Sequence, residues 1–148
     1  MDDKLLNVYI DAELHSPEEI YHFISEHAAS DDQKLETMIK QGLRTRALAG
    51  NIQIAEDVLL PHIESSDLTE TRVMIIKLKA PIAGWSKDIG RVKLLIVILL
   101  AEKETKEIKQ AIAEFMRKIA DEKYLEKLLN ANNKEAINDL VNIGRKSL

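Results

Sequence analysis

The sequence predicts an α/β fold: a mixed β-sheet flanked by helices on both faces, built as one domain over residues 1–148. Three observations carry that reading. Residues 92–100 (VKLLIVILL) are apolar with almost no alternation, as in a strand covered by helices on both faces. Ile108, Ala111, Ile112, Phe115, Met116 and Ile119 fall on one helical stripe. Residues 73–78 (VMIIKL) are apolar and rich in β-branched side chains, as a strand requires.

The elements follow in order. Residues 5–10 (LLNVYI) predict a short strand or extended entry segment. Ser16 is a helix cap, Pro17 suits the first helical position and Glu19 completes a capping box. Ile20, Phe23, Ile24, His27 and Ala28 then share a face. Ser30-Asp31-Asp32 breaks this helix and caps the next, whose stripe is Leu35, Met38, Ile39 and Leu43 and whose end falls between Arg46 and Gly50. Val58-Leu59-Leu60 is a short apolar run stopped by Pro61. Pro81-Ile82-Ala83-Gly84-Trp85 reads as a turn between the two long apolar strands. After the striped helix come a short helix over residues 124–129 and a last one capped by Asn133, with Ile137, Leu140 and Val141 inward and Gly144 as its stop. The expected order is a strand, two helices, three or four strands, then helices.

Composition excludes several functions. The 21 Lys+Arg and 25 Asp+Glu leave a formal charge of −4, which argues against an electrostatic grip on nucleic acid. Cysteine is absent, so disulfides, thiolate metal sites and a cysteine nucleophile are excluded. The longest apolar run, residues 94–101, has eight residues, whereas a spanning helix needs about 20. The start, MDDKLLNVYIDAEL, lacks the basic and apolar regions of a secretion signal. A cytoplasmic protein that meets any membrane process by docking, without inserting, is expected. No Gly-x-Ser-x-Gly elbow, His-Glu-x-x-His pair or phosphate-cradling glycine loop supports a hydrolase.

Chemistry therefore falls to the four histidines. His15 precedes a helix cap and reads as a solvated turn residue. His22 and His27 are five apart on one helix, which is not the spacing of stacked metal ligands, and no cofactor or metal is expected. His62 stands apart. It directly follows Leu59-Leu60-Pro61, at the point where a strand should end. Ligands of open α/β sheets sit at strand ends, although a histidine that merely closes a strand gives the same local pattern.

The stretch from Arg46 to His62 resembles the phosphoacceptor region of the mannitol/fructose-type enzyme IIA component of the sugar phosphotransferase system. That family carries an arginine, an apolar strand and Ile/Val-Pro-His, the histidine sixteen positions after the arginine; Arg46 and Leu60-Pro61-His62 have that spacing. The strand at residues 73–78, the Pro81–Trp85 turn (similar to the family's Pro-Ile-x-Trp with one extra residue) and the apolar run from Val92 follow in order, and Ile112, Phe115, Met116, Ile119 and Asp121 fall in register, so the resemblance spans nearly the whole chain.

The resemblance implies a phosphotransferase component. His62 would take a phosphoryl group from the histidine phosphocarrier protein and pass it to an enzyme IIB component, which serves the membrane component IIC. Arg46 would be the cation beside the phosphate. Neutral imidazole is a usable nucleophile near neutral pH, and a guanidinium offers a planar fork to phosphate oxygens. The transporter would then be a separate polypeptide, and 148 residues would suit a freestanding carrier.

The sequence also departs from the family. The register puts Ile108 where many members have a second histidine, with Lys106 beside it as a functional substitute or a solvated helix-end charge. Ala47 replaces a glutamate and Ile52 a threonine. Asp57-Val58-Leu59 replaces Gly-Ile-Ala, placing a carboxylate near a phosphate site unless it points away. These departures keep a second reading open: a regulatory, IIA-like interaction module with weak or no phosphotransfer.

Overall fold

The computed structural model describes residues 5–143. They run as β1 (Leu6–Ala12), α1 (Pro17–Ala29), α2 (Gln33–Ala49), β2 (Gln53–Ala55), β3 (Asp57–Leu59), β4 (His62–Ser65), β5 (Arg72–Ile82), β6 (Val92–Ala101), α3 (Lys106–Lys118), α4 (Glu122–Asn130) and α5 (Lys134–Val141). The sheet order is β1-β5-β6-β3-β2, with β4 also on β6. β1–β5, β3–β6 and β4–β6 pair parallel, and β5–β6 and β2–β3 antiparallel, so the sheet is mixed.

The non-alternating runs have the expected cause. Met74, Ile76, Leu95, Val97 and Leu99 face a core shared with α1 and α2. Val73, Ile75, Leu94, Ile96 and Ile98 face a second core with Ile112, Phe115 and Leu128. Successive side chains of a strand point to opposite faces, so both must be apolar when both are covered. No helix among the described residues is long and apolar enough to cross a membrane.

Capping set the helix starts. The Ser16 hydroxyl accepts from the Glu19 backbone N–H at 3.1 Å. Glu19 returns the contact to the N–H of His15, at 2.8 Å, rather than to that of Ser16. Asp32 and Asn133 cap α2 and α5 in the same way. α5 closes at Asn142 in the left-handed conformation, φ 43°; Gly144 lies outside the described residues.

Two expectations need correction. Five strands, not three or four, lie between α2 and α3, because β2, β3 and β4 are only three or four residues long. Such pieces carry too little periodicity to be read. The turn before β6 also begins later than Pro81: β5 continues to Ile82 through a register irregularity, and the reversal is closed by Trp85 N–H to Gly90 O at 3.0 Å.

Tyr124 packs α4 on α5, its hydroxyl donating to Leu140 O at 2.8 Å. Burial pushes its pKa up to about 12. The fold thus favours the neutral phenol. Its contribution to stability is complete below the ordinary value of about 10 and is lost as pH rises through about 12. Urea midpoints should fall across that alkaline window, and less steeply in Tyr124→Phe. Equal slopes would show that Tyr124 is not responsible.

Candidate functional site

Pro61 interrupts the strand that carries His62 without shifting its register. Val58 pairs with Leu94 and His62 with Ile98, four residues further along both strands. The strand expected to end at Pro61 therefore does not end there: the ladder resumes at His62, which opens β4 and is not released from the sheet. Proline has no N–H to give, yet the Pro61 carbonyl still accepts from Ile98 N–H at 3.1 Å. On the other side, Leu60 N–H donates to Ile52 O at 2.7 Å. His62 is thus held by backbone on both flanks of the interruption while its half-buried side chain reaches a groove.

α2 forms the facing wall. A Cβ at Gly42 would meet Ile63 Cδ1 at 3.3 Å, so glycine permits close approach of α2 to β4. Arg46 is four residues on, hence on the same helical face. Arg46 and His62 line one open groove of about 710 Å³, together with Gln41, Thr45, Glu64 and Asp67. Sequence reasoning missed these last four, whose polar types carry no local signature. Arg46 Nη1 lies 3.4 Å from where a Cβ on Gly50 would sit, so the guanidinium rests over the last turn of α2.

The ring of His62 is oriented from within. Nδ1 lies 3.3 Å from Leu60 O. A carbonyl can only accept, so this contact puts a proton on Nδ1, and in the neutral ring the lone pair then lies on Nε2. This arrangement leaves Nε2 open to an accessible groove that Arg46 also lines.

The departures noted in the sequence fall elsewhere. Asp57 does not line the groove; it makes paired hydrogen bonds with Arg91, Nε at 2.8 Å and Nη2 at 2.7 Å. It lies five residues before His62, about 16 Å along an extended chain. The Arg91 hydrogen bonds hold the Asp57 carboxyl below its ordinary pKa, against a smaller opposing effect of burial. Its φ of 71° suits the glycine that the resemblance implies at this position, since aspartate tolerates this conformation and branched side chains do not. Asp57→Val should cost about 1–3 kcal/mol and Asp57→Gly less, read from urea midpoints. Equal midpoints for the two would refute backbone strain as the cause.

Thr105 caps α3 through Ile108 N–H at 3.3 Å. Ile108 packs against the second core, and neither it nor the exposed Lys106 lines the groove. Ala47 and Ile52 line a separate apolar cavity beside Trp85.

The other histidines stay on the helical surface. His22 faces Glu26 at 3.6 Å and Glu36 at 3.7 Å. His27 Nδ1 donates to Phe23 O at 2.8 Å, and its ring stacks 4.0 Å from that of Phe23. His15 is exposed. Among the described residues, no three His, Cys, Asp or Glu are grouped to hold a metal.

Comparison with known proteins follows the same outline. Residues 4–143 match the family model for the phosphoenolpyruvate-dependent sugar phosphotransferase system, EIIA 2. Multiphosphoryl transfer protein 1 of Escherichia coli (strain K12) is 20% identical over 134 residues, which are 90% of this chain and 16% of that protein. The nitrogen regulatory protein IIA-Ntr of Neisseria meningitidis shares the fold with a TM-score of 0.72 at 16% identity, over 93% of this chain and 96% of that one. Mannitol enzyme IIA of E. coli, in its complex with phosphorylated mannitol enzyme IIB, gives 0.63 at 14% identity, over 92% and 94%.

Proposed function

We propose that this chain, which belongs to the EIIA 2 family of the phosphoenolpyruvate-dependent sugar phosphotransferase system, is a phosphocarrier that works through His62. The phosphoryl group comes from the histidine phosphocarrier protein and goes on to an enzyme IIB component, itself serving the membrane component IIC. The observation that carries this reading is the shared groove of Arg46 and His62, with Nδ1 of His62 turned to Leu60 O.

Nε2 attacks phosphorus along the open side of the groove. The new N–P bond forms as the donor's bond to phosphorus breaks, and its electron pair leaves with the donor. The Nδ1 proton remains beside Leu60 O and disperses the positive charge that develops on the ring. Arg46 offsets the charge on the transferring oxygens. Onward transfer is the same step reversed onto the IIB acceptor. An open groove suits this use, because two proteins must reach one nitrogen in turn.

The direct test is incubation with phosphoenolpyruvate, enzyme I and the histidine phosphocarrier protein, followed by addition of a IIB domain. Acid-labile label should accumulate on the chain and then drain to IIB. An unlabelled chain, beside a labelled control IIA, would end the phosphocarrier reading.

One observation favours the regulatory alternative. Ile108, which the resemblance puts in register with the family's second histidine, is half-buried against the second core and brings no further polar group to His62. A regulatory module would label slowly and change its affinity for a protein partner on phosphorylation.

A further inference from the structure

A second polar cavity, of about 320 Å³, lies towards the other end of β6 and is lined by Asp11, Lys77, Lys79, Lys93, Asn130 and Asn132. Lys93 is five residues before Ile98, the partner of His62, about 16 Å along the strand. Lys77 holds a position on β5 that the two-residue period assigns to the second core, following Val73 and Ile75. It is buried, and its ammonium donates to the carbonyls of Leu129 and Ala131, where α4 ends.

These two bonds explain a lysine at this place as a cap on α4, and they use two of its three donors. They do not explain the rest of the cavity. A second lysine arrives from β6, close enough to disfavour the charge of Lys77, whose pKa is lowered first by burial and then by Lys93, against a smaller opposing effect of Asp11. Two amide side chains, Asn130 and Asn132, flank Ala131. Asp11 is the sole acid among the lining residues, while Lys79 faces Glu13 at 3.6 Å. Asp11 offsets part of this charge, and the remaining excess of lysines in a partly enclosed cavity is unfavourable unless a further opposite charge joins them. In a chain of net charge −4, this local excess of cations stands against the general trend.

We infer that the cavity is a binding site for a small oxyanion, either free phosphate or the phosphate of a phosphomonoester, held by Lys77, Lys93 and the amides of Asn130 and Asn132. The anion accepts the third Lys77 N–H and pairs with Lys93. Binding thereby ties β5, β6 and the end of α4 together. The site is separate from the Arg46–His62 groove and does not depend on phosphotransfer there.

The test is titration of the isotope-labelled full chain with inorganic phosphate, and separately with a hexose phosphate, at constant ionic strength set by sodium chloride. Backbone amides of Lys77, Leu129, Asn130, Ala131 and Asn132 should shift saturably, in both arms or in one, which identifies the source. Lys93→Gln should weaken the response about tenfold, as expected for one lost charged hydrogen bond. Lys93→Arg should retain it. Arg46→Gln should leave it unchanged. Absence of saturable shifts in both arms overturns the proposal. So does an undiminished response in Lys93→Gln, or loss of the shifts in Arg46→Gln, which would place the anion in the other groove. Lys93 is half-exposed and outside the cap on α4, so its variants test the site without removing the buried Lys77.

Discussion

His62→Gln is expected to reduce acid-labile phosphorylation to background while leaving the fold intact. Glutamine keeps a polar side chain of similar reach, but its amide nitrogen has no free lone pair with which to attack phosphorus. What His62 contributes to folding runs mainly through its backbone: β4 pairs with β6 at His62↔Ile98, and glutamine preserves that pairing. The lost side-chain contact is a 3.3 Å hydrogen bond to Leu60 O at a half-buried position. A stability change within about 1 kcal/mol follows. The other histidines provide an internal control. His15, His22 and His27 are exposed, so indiscriminate labelling would reach them first. A chain with those three replaced by glutamine should label like wild type. Persistent label on His62→Gln, with a normal melting curve, would remove His62 from the reaction.

The physics that made the fold readable also explains where reading stopped. Residues 92–100 show no alternation because both faces of β6 are covered, and that single fact implied helices on each side. Helix starts are legible because caps are local chemistry: Ser16, Asp32 and Asn133 each accept from the backbone N–H three residues on. β2 and β4 were not legible. Each is short, and β4 (HIES) turns Glu64 to solvent, so composition resembles a loop. In the sequence Pro61 looks like a strand terminator because it lacks a donor. The partner strand supplies what the sequence could not show: a carbonyl bond to Ile98 that carries the register across the gap.

The site divides in the same manner. The resemblance to the enzyme IIA family, whose Arg-to-His spacing the chain shares, singles out His62 and Arg46, and the two line one groove. Asp57 illustrates the opposite. Its charge, taken from the sequence alone, threatened a phosphate site. Its partner Arg91 is 34 residues away in the chain, and only the β3–β6 pairing brings the two together. Lys77 is a further case: a lysine inside a β-branched run looks like an exposed edge residue, yet it is buried because α4 ends above it.

Arg46 carries the second large expected effect, and it separates catalysis from stability. At rest its guanidinium lies over the last turn of α2, near Gly50, where a cation offsets the negative end of the helix dipole by about 0.3–1 kcal/mol. In the proposed transfer it would face charge spread over three phosphate oxygens, where a preorganised donor contributes more. Removing such a donor from an enclosed site costs about 10²–10³ in rate. The groove here is open and also contains Glu64 and Asp67, so water and two carboxylates weaken the arginine's field. A loss of about 10–100-fold in the rate of label transfer is expected for Arg46→Gln. Arg46→Lys should lie between, because it keeps the charge and loses the planar fork. Both variants should melt within a few degrees of wild type, since the helix-end contribution is small. Rapid-quench labelling against donor concentration reads the difference. If Arg46→Gln slows labelling no more than it lowers stability, Arg46 acts only as a helix-end charge and His62 works without it.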